Sequence, residues 1–94
     1  MRILKYELEI TDRQTISFGD SEGSPLSVAE QDGKLMMWCM VKEDKLLDGF
    51  SHILKVEIVG TGHLSRKLYK GNFVGTVVMR NGFVWHVFAR DGRL

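Results

Sequence analysis

The segment from Gly71 to Arg90 constrains the fold of this chain more than any other. It contains two runs rich in β-branched and aromatic residues, Asn72 to Met79 and Phe83 to Ala89, joined by Arg80-Asn81-Gly82. An Asn-Gly pair tolerates the positive φ angles that a tight hairpin turn needs, and between two apolar runs it is a strong hairpin signal. The segment is therefore predicted to form a β-hairpin.

Both faces of this hairpin are apolar, whereas a sheet covered on one side alternates apolar with polar residues. Successive side chains point to opposite faces of a strand, so Trp85 and Val87 face one way while His86 and Phe88 face the other. Something must therefore cover the second face. In the first strand, the same alternation predicts two opposed sets: Phe73, Gly75, Val77 and Met79 against Val74, Thr76 and Val78.

The first part of the chain shows the alternation of half-buried strands. From Ile3 to Ile10, apolar residues alternate with charged ones, which predicts a strand with one solvent-facing side. The pattern resumes from Gln14 to Phe18 after a break in turn-forming residues. Ser51 to Val59 has similar strand character and is predicted as a further strand.

A second hairpin is predicted across Asp32-Gly33, the other dipeptide favoured in type I′ turns. Its strands are Leu26 to Gln31 and Lys34 to Lys42. The second of these is apolar at every interior position, which predicts a central strand. A buried helix is the competing interpretation, but the turn stands directly before this run and the run is short for a helix.

About seven short strands without a convincing amphipathic helix predict an all-β fold, with antiparallel strands in a small sandwich or barrel-like sheet. The 94 residues are predicted to form one small domain. Gly19 to Pro25 is predicted to be an exposed connection, Leu64 to Lys70 a basic connector and Asp91 to Leu94 a polar tail. Either the sheet folds over on itself or a second copy of the chain covers the second apolar face, and a homodimer is the favoured prediction.

Composition and charge argue against several classes of protein. A formal net charge of +1 gives no general attraction to nucleic acid, so such a partner is not supported. The single cysteine, Cys39, lies in an apolar run and is predicted to be buried, which fits a reducing cytoplasm. Charges at Lys5, Glu7 and Glu9 interrupt any signal-peptide core, and no apolar run is long enough to span a membrane.

The most distinctive candidate site is the turn Gly60-Thr61-Gly62-His63. Two glycines at a strand end let backbone N–H groups approach a ligand, and the basic residues just beyond suit a nucleotide phosphate or another anion. The stretch lacks the Lys-Ser/Thr ending of a P-loop and the third glycine of a dinucleotide-binding loop. A strand-ending turn with solvated basic residues is the simpler alternative. The predicted ligand-binding residues are Gly60, Thr61, Gly62, His63, Arg66 and Lys67.

No catalytic, metal or cofactor site is predicted, and the chain is expected not to be an enzyme. The three histidines, His52, His63 and His86, lack metal-ligand spacing, and His86 is predicted to be a core or interface histidine with a satisfied ring. No catalytic serine arrangement can be assembled, and the apolar neighbours of Cys39 argue against a nucleophile. Four glutamates are predicted to be solvated charges on outer strand faces: Glu7, Glu9, Glu30 and Glu57.

Apolar and aromatic residues on the second faces of two strands are the other functional clue. Tryptophan and methionine are favoured in recognition surfaces, so an oligomer or partner interface is predicted, with an ordinary second core layer as the alternative. The residues, expected to form one patch, are Met36, Trp38 and Met40 on one strand and Val84, His86 and Phe88 on the other.

Four segments together resemble a known family: ILKYELEITDRQTI (Ile3 to Ile16), LSVAEQDGKLMMW (Leu26 to Trp38), IVGTGH (Ile58 to His63) and FVGTVV with GFVWHVF (Phe73 to Phe88). They resemble short proteins encoded by tailed phages and prophages. In that family a Lys-Tyr first strand, a Gln-Asp/Asn-Gly-Lys hairpin, a Gly-Thr-Gly-His turn and a terminal valine-histidine-valine-phenylalanine strand recur in this order. A proline often follows the turn in the family, where this chain has Leu64.

The resemblance implies a phage origin and expression in the cytoplasm of a host bacterium, but no activity. The favoured hypothesis is a non-catalytic protein that inhibits a bacterial host or immune protein, for example a CRISPR effector, by direct contact. A second hypothesis is a sponge for a nucleotide signal that uses the turn from Gly60 to His63. A third is an accessory protein of phage particle assembly. Analogy of context supports these hypotheses, since a fold alone does not imply a function.

Overall fold

The computed structural model describes residues 1–42, 49–62 and 71–93. The predicted connector from Leu64 to Lys70 and three predicted ligand-binding residues, His63, Arg66 and Lys67, lie outside these ranges. Within them the chain forms seven strands and no helix, and every strand pair is antiparallel, which confirms the all-β prediction. The strands are β1 (Arg2–Leu8), β2 (Arg13–Gly19), β3 (Gly23–Gln31), β4 (Lys34–Val41), β5 (His52–Gly60), β6 (Asn72–Val78) and β7 (Val84–Arg93).

The strands form two sheets that pack face to face. One sheet has the order β1-β4-β3, so β4 is central as its apolar run predicts, and the other has the order β2-β5-β7-β6. Each sheet covers one apolar face of the other, so the chain provides its own second layer. The buried core draws on both sheets: Leu8, Ile16, Leu35, Met37, Cys39, Val41, Leu54, Val56, Ile58, Val77, Met79, Val87 and Ala89.

The two predicted hairpins close with different turns. Asp32 and Gly33 have φ angles of 54° and 78°, and positive φ at both central positions is the signature of the predicted type I′ turn. In the other hairpin only Gly82 has a positive φ, at 92°. The Gly82 amide donates to the Met79 carbonyl oxygen at 2.9 Å, and the Met79 amide donates to the Phe83 carbonyl oxygen at 2.8 Å. This second connection is a three-residue loop with a glycine bulge.

Two strands extend well beyond their predicted ends. β3 begins at Gly23 instead of Leu26, because the Gly23 backbone pairs with Val41 and the Phe18 ring lies directly against it. A Cβ atom at Gly23 would stand 2.6 Å from the ring carbon Cζ of Phe18, so glycine leaves room for that ring. β7 runs to Arg93, so the predicted polar tail is largely strand that pairs with the start of β5. Neither extension shows a strand pattern, because Gly23-Ser24-Pro25 has turn-forming residues and Asp91 to Arg93 is polar, and backbone pairing does not require apolar side chains.

A β-bulge in β6 reverses the predicted facing of two residues. The register of β6 against β7 shifts between Phe73 and Gly75. Phe73 consequently points outward, where its ring meets Phe88 edge to face with centroids 5.5 Å apart, and Val74 packs against the core. The prediction that Phe73 shares the face of Val77 is therefore wrong, because a bulge adds one residue to the period-two alternation.

Glu30 links the two sheets at one end of the sandwich. One oxygen of its carboxylate accepts a hydrogen bond from the Arg80 backbone amide at 3.1 Å, and the other lies 3.7 Å from the Arg80 Nε. The Glu30 side chain is nearly buried, while the Arg80 side chain is exposed, so the backbone contact carries most of the stabilisation. The prediction of a solvated Glu30 is wrong.

Glu30→Ala is expected to lower the free energy of unfolding by about 1–3 kcal/mol, because a nearly buried charge-assisted hydrogen bond is lost. Glu22→Ala is the matched control, since Glu22 pairs with Lys42 at 3.3 Å on the exposed surface and should cost about 0.5 kcal/mol or less. Urea denaturation measures both. Equal losses in the two variants would contradict the assignment of Glu30 as a link between the sheets.

Candidate functional site

The outer surface of the larger sheet holds the candidate functional residues, and we call it the four-stranded face. Directly paired residues share a face, and the residues between them belong to the core. The four-stranded face includes Arg13, Thr15, Ser17, Ile53, Lys55, Glu57, Val59, Phe73, Thr76, Val78, Val84, His86, Phe88, Arg90 and Gly92.

His86 is held by hydroxyl groups on both sides of its ring. Its Nε2 lies 2.7 Å from Thr61 Oγ1, and its Nδ1 lies 2.9 Å from Thr76 Oγ1. A neutral imidazole has one donor and one acceptor nitrogen, so one threonine hydroxyl accepts a hydrogen bond and the other donates one. The prediction of a satisfied histidine ring is confirmed.

The described part of the predicted ligand-binding turn is tied into the sheet. The Thr61 amide donates to the Val84 carbonyl oxygen at 3.2 Å, and the Thr61 hydroxyl contacts His86. Gly60 ends β5, and Gly62 has a φ of 81° with open space around it, as expected of a turn. These contacts fit a strand-ending turn, and the basic residues of the ligand hypothesis lie outside the described residues.

The six predicted interface residues do not form one patch. Val84, His86 and Phe88 lie on the four-stranded face, whereas Met36, Trp38 and Met40 lie on the outer surface of the other sheet. The two surfaces are on opposite sides of the sandwich, because the core separates the sheets. The sequence pattern shows that both strands are apolar on two faces but does not show that they belong to different sheets.

Polar side chains cover part of the outer surface of the β1-β4-β3 sheet. Lys5 on β1 donates to Gln31 Oε1 on β3 at 2.7 Å, so the bridge must cross β4. The register puts the crossing near Met36, which is buried although it lies outside the core cluster. Trp38 and Met40 are only partly exposed.

The β6–β7 half of the four-stranded face is mostly apolar and open. Phe73 and Val78 on the edge strand β6 are 58% and 69% exposed. They pair with Phe88 and Val84 on β7, so the surface carries two apolar pairs with the Thr76–His86 pair between them. We call Phe73, Val78, Val84 and Phe88 the apolar patch. The alternation along β7 predicts the facing of Val84 and Phe88, whereas the alternation along β6 predicts the wrong facing for Phe73 because a bulge precedes Gly75.

The β2–β5 half of the same face is charged. Arg13, Lys55, Glu57 and Arg90 line a groove of about 370 Å³ together with Gln14, Thr15 and Val56. Glu57 is buried, and its carboxylate lies 3.8 Å from Arg13 Nε, so the prediction of a solvated Glu57 is wrong. No local motif marks Arg13, Lys55 and Arg90 as partners, since only the strand pairing brings them together.

Two kinds of feature are absent from the ranges that the structure describes. No group of three or more histidine, cysteine, aspartate or glutamate residues is arranged to hold a metal ion there. Nor do these ranges contain a helix with the length and apolar character needed to cross a membrane.

The fold and the two halves of this face define a small all-β sandwich protein with an open apolar patch beside a charged groove. The chain belongs to the family described as a domain of unknown function, DUF7352, whose model matches residues 1–93. Neither a curated protein nor a solved structure matches it. The family description assigns no activity, so the resemblance to phage proteins stays a prediction.

Proposed function

We propose that this chain is a non-catalytic binding protein that acts by direct contact with another protein through the apolar patch. The observation that carries the proposal is the exposure of Phe73 and Val78 beside Phe88 and Val84 on adjacent strands. Single exposed apolar residues are ordinary, but neighbouring ones on one surface are typical of interaction sites. The resemblance to phage proteins makes a bacterial host or immune protein, met in the host cytoplasm, the partner class to test.

The polar groups inside this surface do not oppose burial by a partner. His86 lies between the two apolar pairs of the patch, and both of its ring nitrogens already have partners in Thr61 and Thr76. Burying a polar group is costly when its hydrogen bonds are lost, and here the ring keeps them. The edge-to-face pair of Phe73 and Phe88 supplies the aromatic area that is enriched at the centres of interfaces.

The experiment uses a variant that removes the apolar patch while keeping the strand. Phe73→Thr with Val78→Thr removes apolar area, and threonine retains a high β-propensity. The matched control is Ile3→Thr, since Ile3 is 59% exposed on β1 of the other sheet. A partner is captured from bacterial lysate and identified by mass spectrometry, and its binding to each purified variant is then measured by calorimetry.

We expect the double variant to raise the Kd by about tenfold or more and the Ile3→Thr control to leave it unchanged. An identified partner that binds both variants equally well would refute the assignment of this surface. Failure to isolate any partner from several bacterial backgrounds would count against the proposed function.

A second copy of the chain is the competing occupant of the apolar patch. Light scattering of the purified protein measures the oligomeric state directly. A homodimer that dissociates in the Phe73→Thr, Val78→Thr variant would assign the patch to self-association and refute contact with a host protein there. A homodimer that persists in this variant would leave the patch available to a different protein.

A further inference from the structure

The charged half of the four-stranded face brings together cations that are far apart in the sequence. Thr15, Lys55 and Arg90 are directly paired across β2, β5 and β7, and Arg13 pairs with Glu57 in the neighbouring row. Side chains paired in this way start about 4.5–5.5 Å apart at their Cβ atoms, so their ends share one groove. Three cationic side chains and one carboxylate leave this groove with an excess of positive charge.

Arg90, which lines the groove, has an unused hydrogen-bond donor. Its Nε is buried and has no hydrogen-bond partner among the residues that the structure describes. Buried polar atoms nearly always have a partner, and an unpaired one is costly. Other cations of the sandwich do have acceptors, for example Lys34 beside Glu7 at 3.4 Å and Lys42 beside Glu22 at 3.3 Å. Because Arg90 lines the groove, an oxyanion that draws its guanidinium group toward the groove would supply the missing acceptor.

We propose that this groove binds a small organic oxyanion, with its phosphate or carboxylate group between Arg90, Lys55 and Arg13. A guanidinium group presents its N–H donors in a planar fork that matches both kinds of oxyanion. The Thr15 hydroxyl borders the groove and offers a further donor. The volume of about 370 Å³ lies within the range of small-molecule sites, so the molecule that carries the oxyanion is larger than a bare ion.

Glu57 limits where the oxyanion can lie. Its carboxylate is buried beside Arg13 and repels a second negative charge on that side of the groove. The oxyanion therefore lies nearer to Arg90 and Lys55, and Arg13 acts from the rim. The residues of this groove differ from those of the apolar patch, so the anion-binding proposal can be tested independently of the proposed contact with a protein.

The test is a titration followed by ¹H–¹⁵N NMR with three probes: inorganic phosphate, AMP and citrate. Sodium chloride at matched ionic strength controls for signal shifts caused by electrostatic screening alone. We expect AMP or citrate to shift the amide signals of Thr15, Lys55 and Arg90 in a saturable way. Arg90→Gln should weaken this binding by about tenfold or more, since a charge-assisted hydrogen bond is lost. Arg2→Gln removes the same charge from β1 of the other sheet and should leave the affinity unchanged.

Lys55→Gln is the second groove variant and keeps the test decisive if Arg90→Gln does not fold. Binding of AMP and phosphate would identify a phosphate group as the ligand chemistry, and binding of citrate alone would identify a carboxylate. Shifts no larger than those with sodium chloride would overturn the proposal. Equal affinities in the wild type and both groove variants would overturn it as well.

Discussion

Replacing Leu54 with alanine is expected to lower the free energy of unfolding by about 2–5 kcal/mol. Leu54 is only 1% exposed and lies on β5, between β2 and β7 in the larger sheet. Truncation to alanine removes the favourable free energy of transferring the leucine side chain from water into the core. It also leaves a cavity that the surrounding strands cannot fully close. A domain of this size has a total stability of roughly 5–15 kcal/mol, so the loss is a large part of the whole.

Urea denaturation followed by tryptophan fluorescence measures this loss, since Trp85 packs against the core. Leu26→Ala is the matched control, because Leu26 is 44% exposed on β3 and the same truncation there creates no closed cavity. We expect the control to cost less than about 1 kcal/mol. If the two variants lost the same stability, Leu54 would not lie in the centre of the core.

The native Cys39 thiol is expected to react with iodoacetamide at pH 8 at least about a hundredfold more slowly than the thiol of the unfolded chain. Cys39 lies on β4 with no exposed surface. Burial raises the pKa of its thiol to about 11 from the ordinary value of 9.0. At pH 8, a pKa about two units higher lowers the fraction of Cys39 present as the reactive thiolate about a hundredfold. The absence of exposed surface slows the reaction further.

Mass spectrometry of samples quenched over time gives both alkylation rates, with the chain unfolded in guanidinium chloride as the reference. A native rate within about tenfold of the unfolded rate would contradict the burial of Cys39. A slow rate would confirm that this cysteine behaves as a small core residue, as its apolar neighbours in the sequence predict.

The raised pKa of Cys39 also predicts how stability depends on pH. The folded state holds the thiol proton more tightly than the unfolded state, so this stabilisation is complete below about pH 9 and disappears as the pH rises through about 11. Burial, followed by the nearby Cys39, raises the pKa of Tyr6, and this acts in the same direction. Urea denaturation of wild type and Cys39→Ala between pH 8 and 11 isolates the thiol, since the variant should lose less stability over this range.

The strand content of this chain is encoded locally and could be predicted. Alternation predicts β1, β2 and β5, and the unbroken apolar run from Leu35 to Val41 predicts a central strand that the structure confirms. The Asp32-Gly33 turn adopts the two positive φ angles that its residue types favour. These features depend on neighbours within a few residues, which is why periodicity and turn chemistry are sufficient to predict them.

Facing and turn geometry in the last hairpin could not be predicted from the same signals. Asn81-Gly82 favours a two-residue turn, but the chain uses a three-residue loop in which Asn81 Oδ1 accepts a hydrogen bond from the Phe83 amide at 3.0 Å. The bulge before Gly75 accompanies close contact between the sheets, since a Cβ atom at Gly75 would stand 2.9 Å from a Val28 methyl group. This contact with β3 joins residues that are distant in the chain, so the residue pattern of β6 alone does not predict it.

The amino-acid sequence by itself determined that this chain forms antiparallel strands, which of them are apolar on both faces and that Cys39 is buried. Only the tertiary structure decided which strands share a sheet, that Phe73 faces outward and that Arg13, Lys55 and Arg90 line one groove. The physical reason is the distance along the chain over which each effect acts. Side-chain alternation and turn preference act within a few residues, whereas sheet order, register and bulges depend on packing between residues that are distant in the chain.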